Sequence, residues 1–240
     1  TRYTGIPLRT YGQQEANIIP LVESITKYAV MITDPNKIVY EVEKAMHLAQ
    51  EGRKGPVWLD IPLDVQNMRV DVENAEHYVP ENTSKHLITS SDIDLITKLL
   101  NSATRPVVLI GSGVRLSEAI EELEIFIEKI QIPLVYAPSG ADIYGLENDL
   151  SIGSVGMMGC SRAGNFTIQN ADLVLVLGNR LNSMVVGEKC QFAREAKILV
   201  VDIDKVEHSK ESANIDHLII SDIKDFLNAI KDKNIQKINS

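Results

Sequence analysis

Two short segments hold side chains of the kind that grip a small, hydroxyl-rich or anionic molecule. Gly178-Asn179-Arg180 closes the aliphatic run Leu173-Val174-Leu175-Val176-Leu177, and Asp202-Ile203-Asp204 closes Ile198-Leu199-Val200-Val201. Glycine lets a phosphate or a flat ring approach the backbone. A guanidinium pairs with phosphate or stacks on an aromatic ring. An aspartate at the end of a strand accepts hydrogen bonds from ribose hydroxyls. This is the chemistry of holding a nucleotide rather than of breaking a bond. Arg180 could equally sit in a structural salt bridge. Asp202 and Asp204 flank Ile203, so at most one of them faces a ligand directly if the strand continues.

Three weaker signals accompany these. Gly111-Ser112-Gly113 follows the strand-like run Pro106–Ile110, where free backbone N–H groups at a helix start would suit a diphosphate. Leu116 breaks the full glycine pattern, so a plain tight turn is an equal alternative. Gly153, Gly156 and Gly159 surround Met157 and Met158, which suggests backbone pressed against a flat ligand or else a flexible loop. Asp222 is either a helix N-cap, the safer choice, or a ribose or adenine contact. The five histidines share no metal-ligand spacing, and no nucleophile elbow, Walker loop or His-Glu-x-x-His occurs. No metal ligand is assigned. Cys160 and Cys190 are too few for a disulfide framework or a four-thiolate site and are expected to be buried, reduced thiols.

The elements that must position these residues alternate in type. A helix over Glu15–Ile25 interrupted by Pro20, a strand at Tyr28–Ile32, and a helix opened by Asp34-Pro35 and stopped at Gly52 lead to a strand within Gly55–Pro62. Residues 63–90 are polar and without period, as an interdomain linker or as an arm packed on a neighbouring domain. Then come helix (from Ser91), strand (106–110), helix (117–130), strand (134–136), a loose stretch to Gly159, helix (162–170), the two aliphatic strands, a short helix near Val206, a strand at His217–Ser221 and a last helix at 222–231. Such alternation is the pattern of a parallel α/β sheet with right-handed crossovers. In such sheets ligands lie outside the carboxyl ends of the strands.

Bulk composition is that of an ordinary globular chain, 44% hydrophobic and 24% charged. A formal charge of -9 argues against a sequence-independent grip on nucleic acid. No run approaches the roughly 18 apolar residues of a membrane span and no signal peptide is visible, so a cytoplasmic protein is expected. The chain begins at Thr1 with turn-like polar residues and is expected to be a piece of something longer.

Several segments together resemble a known family. Gly12-Gln13-Gln14-Glu15 followed by Ser24-Ile25-Thr26-Lys27, the long run Gly52-Arg53-Lys54-Gly55-Pro56-Val57-Trp58-Leu59-Asp60-Ile61-Pro62-Leu63-Asp64-Val65-Gln66, then Gly156-Met157-Met158-Gly159, Asn170-Ala171-Asp172-Leu173, Gly178-x-Arg180 and Val201-Asp202-Ile203-Asp204 occur in order over nearly the whole chain. They are similar to the acetolactate synthase branch of the thiamine-diphosphate enzymes. The resemblance implies that residues 1–66 end a pyrimidine-binding α/β domain, 67–90 link, and 91–240 form the central domain, a parallel six-stranded Rossmann-like α/β fold of the NAD/FAD-binding (DHS-like) type. It implies a parent enzyme, a transferase or lyase, that uses thiamine diphosphate and magnesium to decarboxylate a 2-keto acid and ligate the product. A homodimer or homotetramer is implied, because the thiamine site lies between subunits.

Carried over by position, Gln14 would face the thiazolium as the catalytic residue. Arg53, Gly111, Ser112, Gly113, Gly156, Met157, Gly178, Arg180, Asp202, Ile203 and Asp222 would line a site for FAD or ADP. Asn182-Ser183-Met184 stands where acetolactate synthases have Asp-Asp-Arg, and Gln13 where they have phenylalanine. Met184 cannot pair with a carboxylate as that arginine does, which leaves a less usual carboligase or decarboxylase open beside acetolactate formation. The family's activating glutamate lies upstream of Thr1 and the chain has no Gly-Asp-Gly magnesium segment, so the 240 residues alone are expected to be inactive. A stand-alone FAD- or ADP-binding regulatory or scaffold domain is the alternative. A sirtuin-type NAD enzyme is disfavoured by the cysteine count.

Overall fold

The structure, a computed structural model, describes residues 12–13, 15–81, 88–158 and 160–236, and divides into two units, residues 1–83 and 84–240. In the first unit, α1 (Ile19–Val22) and a 3-10 turn precede β1 (Tyr28–Met31); α2 (Ile38–Gln50) crosses to β2 (Val57–Asp60), and α3 (Leu63–Gln66) follows. Pro20 falls in the first turn of α1, where its missing N–H costs nothing, so the helix expected over Glu15–Ile25 starts only at Ile19 and passes into the 3-10 turn Glu23–Ile25. Asp34 does cap, accepting the Asn36 N–H at 3.0 Å, but it caps a 3-10 turn over Pro35–Lys37 that runs into α2.

β1 and β2 pair in parallel, with Tyr28 opposite Val57 and Met31 opposite Asp60. Parallel strands are ordinarily covered on both faces. Here both strands are at most half-buried and Trp58, Leu63, Leu21 and Ile25 are exposed. Beyond α3, the polar stretch packs back on α2: the Glu43 carboxylate accepts the Tyr78 N–H and meets His77 Nδ1, each at 2.8 Å, and the Tyr40 and Tyr78 rings meet edge to face at 5.6 Å. The hydrogen bonds to Glu43 from His77 and then from Tyr78 N–H hold its carboxyl below the usual range.

The second unit contains α4 (Ser90–Ser102), β3 (Pro106–Ile110), α5 (Gly113–Leu116), α6 (Ile120–Ile130), β4 (Leu134–Tyr136), β5 (Ser151–Ser154), α7 (Arg162–Asn170), β6 (Leu173–Leu177), α8 (Ser183–Val186), β7 (Lys197–Asp202), β8 (His217–Ile220) and α9 (Ile223–Ile230). The six strands form one sheet in the order β5-β4-β3-β6-β7-β8, every pairing parallel. The expected parallel six-stranded α/β domain is what the chain forms. Alternate residues of β3, β6 and β7 enter two separate cores. Val108, Ile110, Leu175, Leu177, Leu199 and Val201 pack with Leu123, Phe126 and Phe226 on one face. Val107, Leu109, Val174, Val176, Ile198 and Val200 pack with Ile168, Val185 and Phe192 on the other. Burial on both faces is why these strands read as unbroken aliphatic runs.

Local differences from expectation have local causes. α4 is capped by Thr89, which makes a reciprocal capping box with Asp92, and Ser91 lies inside the helix. The helix expected at 117–130 begins only at Ile120, because Glu118 takes φ 56° and separates α5 from α6. The helix near Val206 is a 3-10 turn over Glu207–Lys210. β5 lies in the stretch expected to be loose.

Candidate functional site

The strand order reverses direction between β3 and β6, which makes their carboxyl ends the switch point of the sheet. The two loops that leave it are pressed together. The Gly111 N–H donates to Leu177 O (3.1 Å) and the Gly113 N–H to Gly178 O (3.0 Å). A Cβ on Gly113 would lie 2.6 Å from Gly178 Cα, and Gly178 itself takes φ +56°, so both positions need glycine for their own crossing. Two N–H groups expected to be free for a diphosphate are therefore engaged. The Ser112 N–H has no partner among the described residues. Asn179, buried, ties the loops further: its Nδ2 donates to Ile110 O at 3.1 Å and its Oδ1 accepts the Leu181 N–H at 2.9 Å.

The buried polar side chains among the described residues are Asn179, Asp202, His208 and Ser221, and all four follow or end β6, β7 or β8 at the carboxyl edge. Asp202 Oδ1 accepts the Asp204 N–H at 2.9 Å, and Asp204 Oδ1 accepts the Glu207 N–H at 3.0 Å. Asp202 Oδ2 faces His208 Nε2 at 3.3 Å. Arg180 is exposed and its Nε pairs with Glu207 Oε1 at 3.0 Å, while Lys210 pairs with the same carboxylate. Of the two alternatives for Arg180, the salt bridge is present. The Asp222 carboxylate caps α9, accepting the Lys224 N–H at 2.8 Å. Ile203 is partly exposed next to Asp202.

On the other side of the switch point, Gly156 is clamped by Asn165, whose Oδ1 accepts its N–H (3.0 Å) and whose Nδ2 donates to its carbonyl (2.9 Å). The Met157 N–H donates to Met184 O at 2.8 Å, and a Cβ on Gly156 would meet that same carbonyl oxygen at 2.8 Å. Gly153 is crowded by Ser161. At Gly153 and Gly156 the chain packs on itself, which by itself accounts for glycine at both positions. The side chains of Met157, Met158 and Met184 are exposed.

Gln14 and Gly159 lie outside the described residues. Arg53 is exposed in the turn between α2 and β2 of the first unit. The remaining expected positions, Gly111, Ser112, Gly113, Gly156, Met157, Gly178, Arg180, Asp202, Ile203 and Asp222, all lie at or just beyond strand carboxyl ends of the second unit. Asn179, Glu207 and His208 also belong there and were not singled out as ligands; for Asn179 the signal was its place between Gly178 and Arg180. Among the described residues no group of three or more His, Cys, Asp and Glu could hold a metal ion. Cys160 and Cys190 are free, but Cys190 is exposed and Cys160 half-buried, so neither is the buried thiol expected.

The donor set suits part of a nucleotide: the Asp202 carboxylate can accept ribose hydroxyls, and Ile203 beside it offers an exposed apolar side chain. A diphosphate has the Ser112 N–H and Arg180, the latter shared with Glu207.

This arrangement has relatives. A family model described as the thiamine pyrophosphate enzyme, central domain, matches residues 93–230, the span from the first turn of α4 to the end of α9. The chain belongs to the thiamine pyrophosphate enzyme family. Its second unit is the central domain of that family. The acetolactate synthase large subunit of Corynebacterium glutamicum is 36% identical over 208 residues, covering 85% of this chain and 32% of the relative. The probable acetolactate synthase large subunit of Methanocaldococcus jannaschii is 33% identical over 229 residues, 92% of this chain and 38% of the relative. Acetolactate synthase 2, chloroplastic, of Nicotiana tabacum is 32% identical over 211 residues, 85% and 31%. The chain thus spans about a third of the length of the curated relatives it matches. No helix among the described residues is long and apolar enough to cross a membrane.

Proposed function

We propose that the chain is part of a thiamine-diphosphate- and magnesium-dependent carboligase of the acetolactate synthase type, acting on small 2-keto acids in the cytoplasm as a homodimer or homotetramer. Residues 1–66 are assigned to the end of its pyrimidine-binding domain and 91–240 to its central domain, joined by 67–90. The supporting observation is the central-domain match over 93–230 together with relatives named acetolactate synthase that align across both units. The half-buried parallel pair β1–β2, with Trp58 and Leu63 exposed, suits a sheet that further strands would extend and helices would cover. Thiamine diphosphate, when bound, supplies the nucleophilic carbon and the electron sink for decarboxylation and ligation.

The chain's own residues orient and shield. Gln14 is assigned to the thiazolium side of the site. Asn182, Ser183 and Met184 replace the acid-acid-arginine run, so the acceptor's carboxylate finds no guanidinium at position 184. The rim of the central domain is assigned an adenine nucleotide, FAD or ADP, with Asp202 on the ribose, Ile203 and Met157 against a ring, and the Ser112 N–H and Arg180 toward phosphate; Arg53, Gly111, Gly113, Gly156, Gly178 and Asp222 are its remaining assigned lining.

The deciding experiment is purification of the full-length gene product, followed by calorimetric titration with thiamine diphosphate and magnesium and a pyruvate-consumption assay. Cofactor binding with keto-acid turnover is expected. A full-length protein that binds no thiamine diphosphate refutes the proposal.

A further inference from the structure

Asp202 and His208 form the one buried carboxylate–imidazole couple among the described residues, their side chains 11% and 1% exposed. The couple lies at the carboxyl end of β7, where a ribose would be held. The 3.3 Å separation brings Nε2 to Oδ2 without forming a hydrogen bond, and neither ring nitrogen of His208 has a hydrogen-bond partner. A buried imidazole bonded by neither nitrogen is costly, and an aliphatic side chain of similar volume would fill the space without that cost. The loop is nevertheless folded to bring it there. Asp204 N–H on Asp202 Oδ1 and Glu207 N–H on Asp204 Oδ1 turn residues 202–208 back on the strand end, so the ring stands against the carboxylate.

We propose that His208 is a positioning residue for Asp202 and thereby selects ligands that carry an intact ribose cis-diol. This rests on the assignment of an adenine nucleotide to the same rim. A small rotation of the ring makes Nε2–H a donor to Oδ2. With Asp204 N–H on one oxygen and His208 on the other, the carboxylate is fixed in both position and plane. One lone pair then remains on each oxygen, and the two suit the paired 2′- and 3′-hydroxyls. Without the imidazole, Asp202 is held by one oxygen only and can swing, and the advantage of a diol over a single hydroxyl or none is lost.

The test compares ADP with 2′,3′-dideoxy-ADP by calorimetry on the 240-residue chain and its His208→Leu and His208→Gln variants, alongside imidazole ¹⁵N spectra of the unliganded chain and of Asp202→Asn. The wild-type chain is expected to prefer ADP by roughly tenfold, which is about 1.4 kcal/mol. His208→Leu should bind both nucleotides alike, and His208→Gln, whose amide can donate, should recover part of the preference. The spectra should show a protonated Nε2 whose shift moves in Asp202→Asn. Equal preference in the wild-type and His208→Leu chains, or an unprotonated Nε2, overturns the role of His208 while leaving nucleotide binding intact. Failure of every chain, wild type included, to bind either nucleotide overturns both this role and the assignment on which it rests.

Discussion

Replacing Gly113 by alanine sets two effects of opposite sign against each other. Gly113 opens α5 with an ordinary negative φ, so helix propensity alone favours alanine by about 1 kcal/mol. The added Cβ, however, would lie 2.6 Å from Gly178 Cα, 2.7 Å from Gly178 O and 3.0 Å from Gly178 C, all of them backbone atoms that cannot rotate away. Reaching an ordinary contact of 3.4 Å requires the loops to part by about 0.8 Å, at the point where Gly113 N–H bonds Gly178 O. Overpacking of this kind costs about 1–3 kcal/mol and the strained hydrogen bond about 1 more. The net expectation is a loss of about 1–3 kcal/mol. Urea unfolding followed by far-UV circular dichroism measures it; the single tryptophan, Trp58, lies in the first unit and would report on the wrong one. Hydrogen exchange at the β3 and β6 amides should accelerate in step. Gly140→Ala serves as control, since its Cβ would meet Ile143 Cδ1 at 3.5 Å and Gly111 C and Cα at 3.7 Å, all ordinary contacts, and should stay within about 0.5 kcal/mol of wild type. A Gly113→Ala chain as stable as wild type, or more so, would refute the crossing of the two loops as described.

Asn179→Ala removes both ties from the buried Asn179 and should destabilise the second unit by about 1–3 kcal/mol in the same unfolding assay. Asp172 accepts Thr104 N–H, Thr104 Oγ1–H and Arg105 N–H at 2.7, 2.6 and 2.9 Å; burial pushes its carboxyl up, but these bonds and the Arg105 charge outweigh burial and hold it below the usual range. Its contribution is thus complete above the unfolded-state value of about 3.9 and disappears as pH falls through the lower folded value, so Asp172→Asn should cost about 1–2 kcal/mol at pH 7 and progressively less below about pH 4. Glu207→Gln frees Arg180 from its counter-charge and should tighten ADP by roughly two- to fivefold while leaving adenosine unchanged, as calorimetric titration of each would show.

The central strands were legible because burial on both faces leaves little choice but Val, Ile and Leu, as in Leu173–Leu177. β5 was not, since Ser151-Ile152-Gly153-Ser154 has no such pattern and becomes a strand only by pairing with β4 across a register shift. The carboxyl edge itself was readable from Asp202 closing an aliphatic run. Its internal pairing was not: Gly113 meets Gly178 and Arg180 meets Glu207 through loops distant in sequence, and no local spacing encodes such meetings. His208 shares no metal-ligand spacing with the other histidines and carries no local signal, and its burial beside Asp202 depends on the turn made by Asp204 and Glu207. Glu118 shows the same limit on a smaller scale, since a left-handed residue between two helical turns leaves no mark in the hydrophobic period.

Where two main chains touch with no side chain between them, neither can be enlarged to suit a new guest. At Gly113 and Gly178 any substituent collides with the opposite backbone, so that part of the sheet's carboxyl edge is fixed. New preferences have to be written into the segments that still carry exposed side chains, around Met157 and Met158, at Met184, and from Ile203 to Lys210. Changes confined to those stretches can alter what the edge presents and leave its two loops joined as they are.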